Sequence, residues 1–468
     1  MSRRTGRSHK RKSKRRINSL PPGLEKVNLS AAGIDVASGM HAVAVPPGSS
    51  PDGEDVKEFE AFTRDLYSIA SWMKQCGVTT VAMESTGVYW IPLYEVLESL
   101  DFDVRLVDPR QLKRAPGRKT DILDCQWIQR LHTFGLLSGA FRPDEQICTL
   151  RGYVRQRAML VEYASHHVQH MHKALEQMNI KLKRVITEVT GVTGMKIIRS
   201  ILSGERDPFK LAAMRHARCK NDEETIAKSL EGTWRQEHLF ALGQAVELYD
   251  AFQELIRQCD AAIKEYFATL ECTDARHEPG KRAASTRRRN EPHFDAQTVL
   301  HQFSEVDLTR IEAIDGNTAL KVISEIGVDV SAWPSVKHFS SWLSLCPGND
   351  KTGGRQRSGR TTPSANRVAS ALRLAARSLW NSNSALGAFL RRLAARKGMP
   401  KAITATAHKL ARMVYFMLKY GTEYVVKSQE EYEQQHKERQ IKNLKRRANM
   451  LGFEVTQTTQ SKPLMENA

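Results

Sequence analysis

The stretch Ala31-Ala-Gly-Ile-Asp-Val-Ala-Ser38, followed at once by the alternating His41-Ala-Val-Ala-Val45, decides how the first third of the chain folds. An apolar run and an alternating run with a few residues between them read as two strands of a hairpin. Asp35 therefore sits on a strand. Working outward, Thr79-Thr-Val-Ala-Met-Glu84 is a second β-rich run closed by a carboxylate. The Ser85-Thr-Gly87 that follows offers a turn and an N-cap for a helix from about Ile91. A third apolar run, Phe102 to Val107, stops at Asp108-Pro109. A basic loop through Lys113, Arg114, Arg118 and Lys119 then leads into a helix carrying Asp121 and Asp124. Residues three apart on a helix share a face. The alternation of β and α from Ala31 to about Leu137 predicts a compact α/β domain.

Asp35, Glu84, Asp121 and Asp124 thus lie on two strands and one helix face of a single domain. A metal-dependent, nucleic-acid-cutting fold of the ribonuclease H type needs carboxylates in such places. Grouped carboxylates repel one another and raise each other's pKa unless a cation compensates. Hard oxygen ligands suit Mg²⁺ (or Mn²⁺), and metal ions bridging a phosphate drive phosphodiester displacement. The plainer alternative is four solvated surface acids, which the strand-end and helix-face placement disfavours.

The charge balance points to a polyanionic partner. The chain has 468 residues, with 71 Lys and Arg against 52 Asp and Glu, a formal charge of +19 and a pI of about 9.6, a balance that attracts nucleic acid. Its first sixteen residues, Met1 to Arg16, are almost wholly basic and polar and cannot pack a core. They read as a disordered arm on nucleic acid, with a generic solubility tail as the alternative. No apolar run approaches the ~20 residues of a spanning helix and no secretory signal is apparent. The seven cysteines are scattered without a Cys-x-x-Cys pair, as expected of reduced, intracellular thiols.

Two helical segments are expected in the middle. From about Leu150 to Lys183, Val154, Met159, Leu160, Tyr163, Val168, Met171, Leu175 and Met178 form an apolar stripe, which fits a long hairpin or coiled-coil arm. This segment carries His166, His167, His170 and His172. They read as a polar, nucleic-acid-facing surface, because no thiol or acid at ligand spacing completes a metal site. The second segment runs from about Glu223 to Leu270 and ends in a polar, basic stretch, Thr273 to Pro292, that reads as a linker.

The last third opens with Ile311 to Gly327, a helix-turn-helix-like pattern with Gly316 in the turn. Then comes Leu345-Cys-Pro-Gly-Asn-Asp-Lys-Thr-Gly-Gly-Arg-Gln-Arg-Ser-Gly-Arg-Thr-Thr362, a glycine-rich basic loop with two buried-looking hydroxyl candidates, Thr352 and Ser358. A helix from Ser364 to about Trp380 follows. An alcohol, guanidinium groups and glycines for close approach are what attack on a DNA phosphate requires. The alternative is an ordinary phosphate-binding loop, or hydroxyls acting as caps. The cations expected on nucleic acid are Lys119, Lys351, Arg355, Arg357, Arg360 and Arg367.

Taken together, Gly33-Ile-Asp35-Val, Met83-Glu84-Ser-Thr-Gly87, Lys119-Thr-Asp121-Ile-Leu-Asp124 and Pro347-Gly-Asn-Asp-Lys-Thr-Gly-Gly-Arg355 resemble the DEDD transposases of bacterial insertion sequences, the IS one-ten class. The resemblance covers about residues 28 to 430. It implies a RuvC-like N-terminal domain whose acidic set is Asp35, Glu84, Asp121 and Asp124. It also implies a C-terminal domain with a serine nucleophile just before a Gly-Gly pair, and guidance by a bridge RNA that pairs with target and donor DNA. Here the residue before Gly353-Gly354 is Thr352, which is bulkier and stiffer at χ1 than serine. Ser358 is the rival nucleophile. A bacterial, cytoplasmic, nucleoid-associated location is implied in the same way.

The expected organisation is a basic arm (1–26), a RuvC-like α/β domain (27–148), a helical or coiled-coil segment (149–272), a basic linker (273–300), a transposase domain with the nucleophile loop (301–430) and a charged tail (431–468). The fold class is α/β, ribonuclease H-like, followed by mainly α-helical middle and C-terminal domains. The expected activity is insertion and excision of an insertion sequence by metal-assisted phosphoryl transfer, in a homodimer or tetramer. A RuvC-like endonuclease using water, or a non-catalytic nucleic-acid-binding protein, are the alternatives.

Overall fold

The computed structural model describes residues 23–109, 121–270, 290–348, 350–353 and 355–455. The chain divides into two compact units between Arg142 and Pro143. The first opens with three antiparallel strands, β1 (Ala31–Val36), β2 (Met40–Ala44) and β3 (Val56–Glu60). Helix α1 (Thr63–Gln75), β4 (Thr80–Glu84), α2 (Trp90–Ser99), β5 (Asp103–Val107) and α3 (Asp121–Thr133) follow. Strands β4 and β5 join parallel to β1, giving a mixed five-stranded sheet in the order β3-β2-β1-β4-β5. This is the ribonuclease H-like arrangement expected. Edge strand β3, Val-Lys-Glu-Phe-Glu, buries none of its residues fully and carries too little apolar signal to read from sequence.

Period-two alternation gives the sheet two faces. Ile34, Val36, Val81 and Met83 point into a core with Leu66, Ile69, Leu93 and Leu97 of α1 and α2. The other face receives α3, where Ala82 packs with Ile128. Gly33 permits the approach: a Cβ there would lie 2.1 Å from the Gln129 amide nitrogen and 2.4 Å from the Cys125 carbonyl oxygen. Gln129 Nε2 donates to the Ala31 carbonyl at 3.2 Å, tying helix to strand. At the start of β4, the Thr80 hydroxyl lies 2.9 Å from His132 Nε2 and donates to the Asp103 carbonyl oxygen at 3.0 Å. Burial first, then the nearby Arg105 cation, pushes the pKa of His132 down to about 4.

The Ser85-Thr-Gly87 turn precedes α2 as expected, but its hydroxyls do not cap the helix. Ser85 donates to the Val107 carbonyl (3.0 Å) and Thr86 to Glu84 Oε1 (2.9 Å). Sheet-end acceptors outcompete the helix start, which has Tyr89 at its N-cap and no side-chain cap.

The second unit is built on two long antiparallel helices, α4 (Glu145–Gln177) and α9 (Gln236–Thr269). Asp144 caps α4 by accepting from the Ile147 amide at 2.8 Å. Between them lie α5 (Leu182–Val185), α6 (Val192–Leu202), α7 (Pro208–Ala212) and α8 (Glu223–Ser229), packed around their own core with the adjoining ends of α4 and α9. The segment expected as one helix from Glu223 to Leu270 is therefore broken between α8 and α9. The chain there crosses the end of α4: the Thr233 amide donates to the Met178 carbonyl at 2.8 Å, and a Cβ on Gly232 would sit 2.5 Å from that oxygen.

The C-terminal part comprises α10 (Ala296–Ser304), α11 (Gly316–Ile326), α12 (Val336–Trp342), a hairpin of β6 (Asp350–Thr352) and β7 (Arg355–Ser358), α13 (Arg367–Ser378), α14 (Ala385–Lys397), α15 (Met399–Tyr420) and α16 (Thr422–Met450). Only half of the helix-turn-helix pattern at Ile311–Gly327 is helical. Asp315 caps α11 by accepting from the Thr318 amide at 2.8 Å, and a side-chain cap of that kind fixes where a helix begins. Gly316 is thus the first helical residue, and Ala313 before it takes φ of 69° in a non-helical turn. The buried Tyr415 of α15 donates to the Trp333 carbonyl at 3.0 Å and packs on Phe339 of α12. The six described cysteines are free thiols. Among the described residues no helix is long and apolar enough to cross a membrane.

Candidate active site

Strand register brings two of the candidate carboxylates together. Ile34 lies opposite Met83 in the parallel β1–β4 pair, so the next residues along are Asp35 and Glu84. Both sit at the C-terminal ends of their strands and, by alternation, on the face covered by α3. Glu84 is buried and accepts from Thr86 Oγ1. Asp121 and Asp124 belong to the first turn of α3, and the side chain of Asp121 lies outside the described residues. Cys125, the residue after Asp124, is fully buried. Burial first, and then the Asp35 and Asp124 carboxylates, push its pKa up to about 12.

Among the described residues no three His, Cys, Asp or Glu side chains stand close enough to hold a metal ion. The donor chemistry of Asp35, Glu84 and Asp124, hard oxygens on one face, still fits Mg²⁺ or Mn²⁺ rather than a thiophilic metal.

In the second unit the glycine-rich loop is a β-hairpin. Thr352 pairs with Arg355 and Lys351 with Gln356, after which the register slips so that Asp350 pairs with Ser358. The bulge places Arg357 as the extra residue on β7. Gly353 turns the chain with φ of 57°, and a Cβ there would meet no atom within 4 Å. Thr352 is exposed, not buried as its sequence setting suggested: it is the last residue of β6, beside the turn at Gly353. The side chains of Ser358, Lys351, Arg355 and Arg357 lie outside the described residues, as does Lys119 entirely. Arg360 is exposed, and its carbonyl closes the loop's base by accepting from the Gly348 amide at 2.8 Å. Arg367, the exposed first residue of α13, has Nε 3.9 Å from Glu325 Oε1.

Sequence reasoning missed the groups that support this hairpin's surroundings. Glu325 of α11 takes both nitrogens of a bidentate Arg155 at 2.8 and 2.7 Å, while Arg151 Nε donates to the Ser324 carbonyl at 3.3 Å. Farther along the arm, Arg157 and Asp260 form a buried pair at 2.5 Å, their side chains 4% and 1% exposed. His293 Nδ1 meets the other Asp260 oxygen at 2.7 Å, and Arg157 donates to the Asn290 carbonyl at 3.2 Å, so the chain from Asn290 is held on the helical pair. The available signal was a charged residue interrupting each apolar stripe: Arg157 between Val154 and Leu160, Asp260 between Ile256 and Ile263. The histidines of α4 are partly engaged, His167 stacking on Phe252 at 5.3 Å.

Residues 32–180 match a family of DEDD transposases of the IS110 type, and residues 307–391 match the "Transposase IS116/IS110/IS902 family". The chain belongs to the IS110 family of transposases. A Pseudomonas aeruginosa protein described as a probable family 20 transposase is 24% identical over 411 residues, spanning 85% of this transposase and 99% of that relative. In this transposase the first matched region contains Asp35, Glu84, Asp121 and Asp124, and the second contains the β6–β7 hairpin.

Proposed function

We propose that this transposase inserts and excises its own element by phosphoryl transfer. Asp35, Glu84, Asp121 and Asp124 would organise the scissile phosphate and a hydroxyl of the β6–β7 hairpin would attack it. The observation that carries this reading is the placement of Asp35 and Glu84 at adjacent strand ends, on the sheet face covered by α3, whose first turn carries Asp121 and Asp124. Mg²⁺ or Mn²⁺ held by these oxygens would supply Lewis-acid stabilisation of the pentacovalent phosphorus. Thr352 is the preferred nucleophile, supported by its exposure beside an unobstructed Gly353 at the hairpin tip. In the forward step Thr352 Oγ1 bonds to phosphorus and the P–O3′ bond breaks, the hydroxyl proton ending on the released 3′-oxygen. A 3′-hydroxyl from the exchanging strand reverses the step and frees the protein. Hairpin guanidinium groups such as Arg355 and Arg357 would take the phosphate charge. Guidance by a bridge RNA, and assembly as a dimer or tetramer that synapses two DNAs, complete the reading.

The test is trapping. Purified protein and its guide RNA are incubated with a labelled DNA junction and Mg²⁺, denatured, and examined for DNA attached to protein. The adduct is expected in wild type, Thr352→Ser and Ser358→Ala, and absent in Thr352→Ala. Loss in Ser358→Ala alone moves the nucleophile to β7, whereas cleavage with no adduct in any protein means that water attacks.

A further inference from the structure

We propose that the tip of the helical arm, residues 181–220, docks on the sugar–phosphate backbone of duplex DNA away from the scissile phosphate. The inference rests on the transposase reading only for its partner being DNA. Charge is unevenly distributed along this part of the sequence. Residues 181–220 hold ten Lys and Arg against three Asp and Glu, whereas 221–270 hold four against ten. The acids of α8 and of the start of α9 pack at the same end of the arm, so the surface a polyanion would meet is set by the cations that stay free of them.

Ion pairs absorb part of the tip's charge: Lys181 with Glu176, Arg199 with Asp250, Lys210 with Glu205 and Arg215 with Glu223. Among the described residues, Lys183, Arg184, Lys196, Arg218 and Lys220 are exposed and stand outside any ion pair. The fold gathers these five. The His216 amide donates to Thr193 Oγ1 at 3.1 Å and Cys219 Sγ lies 3.6 Å from the same hydroxyl, which holds the loop of Arg218 against the first turn of α6. Lys196 projects one turn farther on. Asn221 Nδ2 donates to the Val185 carbonyl at 2.6 Å, which brings Lys220 beside the α5 turn carrying Lys183 and Arg184.

Distance makes this surface separate from the hairpin's surroundings. From Arg151, hydrogen-bonded to α11, to Gln177 at the tip, α4 rises about 40 Å. That corresponds to about a dozen base pairs at ~3.4 Å each. The tip would therefore grip DNA flanking the exchange site, adding affinity without reading bases, as phosphate contacts do.

The experiment uses the full chain with Lys183, Lys196, Arg218 and Lys220 all changed to Gln, and a companion in which the three lysines become Arg and Arg218 becomes Lys. Binding is titrated against salt on random-sequence duplexes of about 40 and about 10 base pairs, and on a matched RNA duplex. On the long DNA, the slope of log K against log salt is expected to shallow by roughly 3 to 4 for the Gln protein, at ~0.9 per lost contact. The charge-retaining companion should keep the wild-type slope, which separates lost charge from a folding defect. An unchanged slope on long DNA, with wild-type melting, overturns the proposal, and so does a loss confined to the RNA duplex. The covalent adduct on a short junction should form equally in wild type and the Gln protein. Its absence from both would count against the nucleophile and leave the docking result standing.

Discussion

Single atoms set the tolerances of the acidic site. A methyl group on Gly33 cannot coexist with the Gln129 amide 2.1 Å from it, so Gly33→Ala forces α3 off the sheet that holds Asp35 and Glu84. Overpacking of this kind costs about 1–3 kcal/mol and occasionally more. Urea denaturation should show that loss together with disappearance of DNA cleavage; a variant of native stability and activity would mean that α3 does not position Asp124. His132 gives a pH signature. Its pKa of about 4 in the folded protein lies below the usual 6.5, so between those values the unfolded chain takes up a proton that the folded chain refuses. Stability from this group is complete above about pH 6.5 and is lost as pH falls toward 4, by at most about 3 kcal/mol. His41 and His408 are also lowered by burial and act in the same direction. The difference between wild type and His132→Gln therefore isolates the residue: the variant's stability should change less steeply with pH in that window.

Among the elements, α4 and α9 depend on a charged pair buried between them. Removing one partner leaves an uncompensated buried charge, which costs about 3–5 kcal/mol, whereas replacing both by apolar groups of similar volume is often neutral. Asp260→Ala should destabilise by that amount, and the double change Arg157→Met with Asp260→Leu should recover most of it in a double-mutant cycle. A single-variant loss below about 1 kcal/mol would show that water reaches the pair. At the arm's other end Glu325 joins α11 to α4 through Arg151 and Arg155 and lies near Arg367 at the start of α13. Glu325→Gln keeps the shape but removes the charge, and should slow adduct formation more than it lowers the melting temperature.

On the scale of the whole molecule, the acids and the hydroxyl hairpin belong to different compact units of one chain. An active site assembled between subunits predicts complementation. An Asp35→Ala protein mixed with a Thr352→Ala protein should regain adduct that neither forms alone, measured by the same trapping assay. No recovery in the mixture would mean that one subunit supplies both parts.

The amino-acid sequence by itself determined the ribonuclease H-like unit and the placement of Asp35 and Glu84 on strands and of Asp121 and Asp124 at the start of a helix. Strand alternation and helix spacing are local patterns, and a strand-end carboxylate is legible wherever an apolar run stops. It also carried the family's two motif regions. Only the tertiary structure decided that Thr352 is exposed on a hairpin tip, that Ser85 and Thr86 serve the sheet and not the helix, and that α8 and α9 are separate. It alone paired Arg157 with Asp260 and gathered the cations of the arm tip. Each of those outcomes depends on which groups from distant parts of the chain compete for one hydrogen bond, one charge or one space, and that competition leaves no periodic trace in the sequence.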